Sequence, residues 1–234
     1  MKSDRVIYTM GAVGAILVIA GSLLDIIVSM ILGVDLNALP KTAMERFSQI
    51  ETSPLLGIYN LDFLNMITTL IMIPATLAIC FANRKVLPAG AALALVISVI
   101  GTAVFISGNP ALPMLELSQK YSMAEPIQKN FLAAAGEAIL ARGQHGSTGV
   151  FLSFVLPILA SIIISIVMLK GKIFGKGGAW CGIIGNSLLL VYLFLVTFVP
   201  QTRSAVTAFA TPGGILAMIW LGLSAKELLK IENN

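Results

Sequence analysis

Apolar residues run almost unbroken through six stretches: Val6–Gly33, Pro54–Ala82, Pro88–Ser107, Gly146–Leu169, Gly178–Val199 and Gly213–Leu229. The last is the shortest. An α-helix rises about 1.5 Å per residue, so about 20 apolar residues cross the hydrocarbon of a bilayer. The pattern therefore predicts an all-α, polytopic membrane protein with six transmembrane helices in a single integral domain over residues 1–234. The first stretch follows a short basic segment, as in a signal peptide. It is too long for such a segment's apolar core and no clean cleavage site follows, so it is expected to stay as the first helix. Pro74 and Pro157 fall inside spans, where each is expected to kink its helix. Gly178, Gly182 and Gly185 open the fifth span and are expected to serve close packing within the chain rather than dimerisation.

Polar positions inside the spans stand out against this background. Asp25 lies in the first span and Asp62 in the second, each eight residues from the expected end of its helix. That places both about 12 Å from the same face of the membrane. Ser22, Asp25 and Ser29 follow i, i+3, i+7 spacing, and Asp62, Asn65 and Thr69 repeat it. Such spacing puts three side chains on one helical face. The two stripes are thus expected to face each other or a shared cavity. A charge at bilayer depth costs about 2.5–3.5 kcal/mol, so it is retained where it meets a partner, a cavity or a functional path. Two neighbouring desolvated carboxylates are expected to have raised pKa values. No Lys or Arg lies in the spans apart from Lys226 at the far end of the sixth, so Arg142, His145 or Arg203 is expected to cap the pair. Asn186, in the fifth span, is expected to be packing glue.

Charge position fixes the expected orientation. Lys2, Arg5, Arg84, Lys85, Lys170, Lys172, Lys176, Lys226 and Lys230 all fall, by parity, on one side of the membrane, against only Asp4, Glu227 and Glu232. Short basic loops are retained in the cytoplasm. Both termini are therefore expected inside, in a prokaryotic cytoplasmic membrane. The longer links, 34–53, 108–145 and 200–212, are expected outside. The segment 108–145 carries Glu116, Lys120, Glu125, Lys129, Glu137 and Arg142, so it is not a seventh span. It contains a helix over Lys129–Arg142, either an amphipathic helix on the outer surface or leading into the fourth span, or a lid over an outward-facing cavity.

Composition agrees with the pattern. Of 234 residues, 57% are hydrophobic and only 11% charged, fewer than half the roughly 25% of a soluble domain. The net charge of +4 is then an orientation signal, and nucleic acid is excluded as a partner. Cys80 and Cys181 build no disulfide framework, and both are expected to be packing residues. With His145 the only histidine, a multi-histidine metal or haem site has nothing to build from. The turn Gly143-Gln-His-Gly146 lacks the G-K-[ST] of a phosphate loop, and no G-x-S-x-G or H-E-x-x-H occurs. No cofactor is expected, and an intramembrane enzyme is the least favoured class.

Several segments together resemble a known family. They are Leu56-Gly-Ile-Tyr-Asn-Leu-Asp62, Ser107-Gly-Asn-Pro110 with Met114-Leu-Glu-Leu-Ser118, Ala133-Ala-Ala-Gly-Glu137, and Val167-Met-Leu-Lys170 followed by Phe174-Gly-Lys176. The pattern resembles the bacterial and archaeal membrane proteins grouped as domain of unknown function 4386, and covers most of the chain. The resemblance implies a multi-span protein of the cytoplasmic membrane and includes the Asp62 and Glu137 positions. It carries no activity to transfer.

Two functions compete. In the first, a small polar or cationic solute binds or passes through an outward-facing polar pocket between spans one and two. Asp25 and Asp62 are then the ion or proton groups. Asn65, Ser22 and Ser29 orient the ligand, and Glu137, His145 and Arg142 stand at the mouth. In the second, the chain is a non-catalytic scaffold or sensor subunit whose polar stripes are packing seams, with an oligomer or protein partner.

Overall fold

Ten helices account for the described part of the computed structural model, which covers residues 2–31, 39–199 and 206–233. They are α1 (Lys2–Ile31), α2 (Ala43–Thr52), α3 (Pro54–Tyr59), α4 (Phe63–Ala82), α5 (Pro88–Gly108), α6 (Ala111–Met123), α7 (Pro126–Gly143), α8 (Phe151–Lys170), α9 (Lys176–Phe198) and α10 (Thr207–Asn233). Among the described residues there is no strand.

Six of them, α1, α4, α5, α8, α9 and α10, are long and apolar enough to cross a membrane. Their outer faces are apolar too: Leu17, Leu24, Val96, Leu152 and Phe194 are all exposed. Such a surface suits lipid rather than water. The six close into a ring in the order α1, α4, α5, α8, α9, α10 and back to α1, and α4 also touches α8 and α10 across it.

Small residues let these helices approach closely. On α1, Gly11 backs onto Ala78 and the Pro74 carbonyl of α4, and Gly14 onto the Pro74 ring. Gly101 of α5 meets Pro157 of α8, where a Cβ would come within 2.6 Å of the proline Cδ. Pro74 and Pro157 thus each lie against a neighbour's glycine. On α9, Gly182 faces Ser165 and Trp220, and Gly185 faces Leu216 and the backbone of α10. The glycine series of the fifth span therefore packs within the chain. Asn186 bonds its own helix, its Nδ2 donating to the Gly182 carbonyl at 2.8 Å. Cys80 is a buried free thiol and Cys181 a half-buried one.

The four remaining helices form a cap. They lie in the links from α1 to α4 and from α5 to α8, hence at one end of the bundle. Ala43, Phe47, Ile50, Leu61, Ala111, Met114 and Leu140 make their shared core. The link 108–145 therefore differs from its sequence reading. It holds two helices rather than one, with Pro126 at the first position of the second. It packs on α2 and α3.

The second span also differs. It does not run unbroken from Pro54. The chain completes α3, turns through 60–62, and starts α4 at Phe63. Asp62 takes a left-handed conformation (φ 61°, ψ 27°) at the start of α4, which a long uninterrupted helix would forbid. The fourth span begins at Phe151, after a turn through 144–150, and the sixth extends from Thr207 to Asn233 with Pro212 near its start.

Candidate functional site

The turn 60–62 is where cap and bundle meet, and three separate segments hold it. Asn109, in the break between α5 and α6, donates from Nδ2 to the carbonyls of Leu61 and Asp62, each at 3.2 Å. Its Oδ1 accepts from the Ala111 amide at 3.0 Å. Arg46 of α2 donates from Nη1 to the Asn60 carbonyl at 3.4 Å and to Gln49 Oε1 at 3.3 Å. From the turn after α7, His145 Nδ1 lies 3.4 Å from Asp62 Oδ2.

Asp62 is therefore surrounded by donors. Asn65, three residues on, donates to its Oδ1 at 2.8 Å. Burial alone raises the carboxyl of Asp62, which precedes the spanning helix. His145, Asn65 and Arg46 outweigh burial and hold it below the ordinary carboxylate value. This corrects the expectation of a raised value for this acid: donors decide, not the second carboxylate.

Asp25 sits in a parallel arrangement on α1. The Tyr59 hydroxyl is 2.8 Å from Asp25 Oδ1 and 2.8 Å from the Ser29 hydroxyl. With Ser29 donating to Tyr59 and Tyr59 to the carboxylate, one chain of bonds links α1 to α3. Burial, followed by the bond to Asp25, pushes the phenol up to about 12. Ser22, one turn along α1, is half-buried on the same side. Asp25 and Asp62 are near enough to feel each other's charge, and each is bonded to different partners.

Arg46 is the cation that the sequence reading missed. It lies in the link 34–53, expected outside the membrane, yet it is 1% exposed. Burial lowers its guanidinium to about 10, against the pull of Asp62 and Glu45. Its Nε is buried without an acceptor. A signal was present: Ala43, Phe47 and Ile50 form the buried face of α2 at i, i+4, i+7, and Arg46 falls on that face. Asn109 and Tyr192 were missed as well. Tyr192 Oη lies 3.1 Å from His145 Nε2, and a single tyrosine in an apolar helix gives no hint of that.

Of the three expected capping residues, His145 stands beside Asp62. Arg142 is exposed in the last turn of α7. Arg203 lies outside the described residues. Glu137 does other work: its Oε1 accepts from the Ala43 amide at 2.7 Å, closing the N-terminus of α2. Its neighbour Gly136 lies against Ala43 and Phe47.

His145 is the more open partner. Its side chain is 33% exposed against 14% for Asp62, so it covers the carboxylate from outside. A cavity of about 460 Å³ opens elsewhere, at the elbow of α6 and α7, lined by Lys120, Met123, Ala124, Gln128, Phe131 and Leu132. It shares no residue with the junction.

No family model, curated protein or solved structure matches this chain. The resemblance to domain of unknown function 4386 rests on the quoted segments alone.

Proposed function

We propose that the chain is a multi-pass protein of a prokaryotic cytoplasmic membrane, with both termini inside, that binds or passes a small polar or cationic solute at the cap–bundle junction. Charge balance carries this reading. Asp25 and Asp62 bring two carboxyl groups, and among the described junction residues Arg46 is the one permanent cation. His145 supplies the second cation only when protonated. With His145 neutral, the junction has room for one external positive charge. Tyr59, Ser29, Ser22 and Asn65 surround the two acids with groups that bond a polar solute.

The test is thermal stabilisation of the purified chain by a panel of amines, amino acids and inorganic cations. A solute of this class should stabilise the wild type and lose its effect in Asp25→Asn and Asp62→Asn. If both variants fold and no solute stabilises the wild type, the reading fails. Orientation has its own test. A cysteine at Lys172 should resist a membrane-impermeant reagent in intact cells, and labelling from outside would reverse the topology.

One observation favours the scaffold reading: both carboxylates are already bonded by side chains of the chain itself. It predicts that Asp25→Asn weakens folding and that no solute has any effect.

A further inference from the structure

At the end of the bundle opposite the cap, two short loops touch. Residues 83–87 join α4 to α5, and residues 171–175 join α8 to α9. At Gly171 a Cβ would stand 3.0 Å from Asn83 Oδ1 and 3.4 Å from Val86 Cγ2. Phe174 anchors the second loop in the main core at 4% exposure.

These loops and their flanks hold Arg84, Lys85, Lys170, Lys172 and Lys176. Arg84 folds back, lying 3.5 Å over the Phe81 ring and donating to the Phe81 carbonyl. The four lysines are exposed. Among the described residues none of the four has an acidic partner, and the chain has no Asp or Glu in 63–115 or 138–226. The cap differs: there Lys120 pairs with Glu116, and Lys129 sits over the Tyr121 ring.

Apolar side chains adjoin the lysines. Ile173 is 37% exposed, and Trp180, one turn into α9 from Lys176, is 52% exposed. Trp180 projects from a helix long enough to cross the membrane. That places its indole at headgroup depth, where such rings concentrate, while lysines extend outward to the phosphates.

We propose that this surface binds anionic phospholipid headgroups. Lys85, Lys170, Lys172 and Lys176 meet the phosphates, and Trp180 and Ile173 sit at the headgroup–acyl boundary. Charge complementarity to an acidic membrane surface, with apolar groups at the right depth, favours lipid over a soluble anion. The proposal is independent of the solute reading.

The test uses the full chain in neutral detergent with phosphatidylglycerol or phosphatidylcholine at equal mole fraction. Retained lipid is read by native mass spectrometry, alongside the unfolding temperature. Phosphatidylglycerol should be retained about tenfold over phosphatidylcholine, and the preference should shrink as salt rises from about 0.1 to about 0.5 M. Replacing all four lysines by Gln should bring the two lipids within about twofold, whereas replacing all four by Arg should keep the preference. Equal retention of both lipids by the wild type, or an unchanged preference in the Gln variant, would overturn the proposal. So would inorganic phosphate or glycerol phosphate that displaces the lipid and raises the unfolding temperature as much, since the site would then take a free anion.

Discussion

His145 and Asp62 face each other at 3.4 Å across the junction between cap and bundle, although their segments are far apart in sequence. The contact depends on charge. Asp62 sits below its ordinary pKa because His145, Asn65 and Arg46 outweigh its burial. A folded-state value below the unfolded one contributes stability in full above the unfolded value, near 3.8. That contribution is lost as pH falls through the folded value. Unfolding temperatures in detergent should therefore drop steeply below about pH 4. Asp62→Asn keeps a residue that tolerates the left-handed conformation, and its acid-induced drop should be smaller. An unchanged acid limb in that variant would separate Asp62 from acid stability.

Arg46 should matter through Asp62 as well as through packing. Arg46→Met removes donors from the Asn60 carbonyl and Gln49, and removes a permanent cation beside the carboxylate. A loss of about 2 kcal/mol is expected, together with a smaller acid-induced drop than in wild type, because Asp62 loses one of the groups that hold its folded value down. A purely packing role would lower stability equally at all pH values.

Tyr59→Phe deletes one oxygen, and with it the bonds to Asp25 and Ser29. Asp25 would then lose its phenol donor at the end of a spanning helix. Denaturation should show a loss of about 1–3 kcal/mol, and Ser29→Ala should cost less. A Ser29 variant as damaging as the Tyr59 variant would contradict the order of bonds described above.

The glycines of α9 should separate cleanly. At Gly178 a Cβ meets only Leu223 at the ordinary distance of 3.5 Å, so Gly178→Ala should change stability by less than about 0.5 kcal/mol. Gly185→Ala presses within 2.8 Å of the Leu216 Cβ and 2.9 Å of the Ala217 amide nitrogen. Gly182→Ala runs into Ser165 and Trp220. Each of these two should cost about 1–3 kcal/mol, measured by unfolding in detergent.

Within the cap, Gly136→Ala would bring a Cβ within 2.7 Å of Ala43 and 2.9 Å of Phe47, forcing α7 away from α2. A loss of about 1–3 kcal/mol is expected. Glu137→Gln keeps an acceptor for the Ala43 amide and should be milder than Glu137→Ala. Faster proteolysis of the cap would report both effects, and equal cutting rates in wild type and Gly136→Ala would refute this contact.

By itself the sequence determined the solvent and the count of spans. Both follow from long apolar runs, which need no tertiary information because lipid accepts an apolar face in any direction. It also marked Asp25, Asp62 and His145, because rare polar groups in an apolar setting stand out. Tertiary structure decided what each of them meets. A left-handed residue that breaks the second run at Asp62, a cap helix that buries Arg46, and a break between α5 and α6 that brings Asn109 to the same turn all depend on contacts between distant segments. Local propensity carries no record of such contacts. Arg46 lies in a link that the charge pattern puts outside the membrane, and a buried and an exposed arginine have the same letter. Only the packing of α2 against the rest of the cap distinguished them.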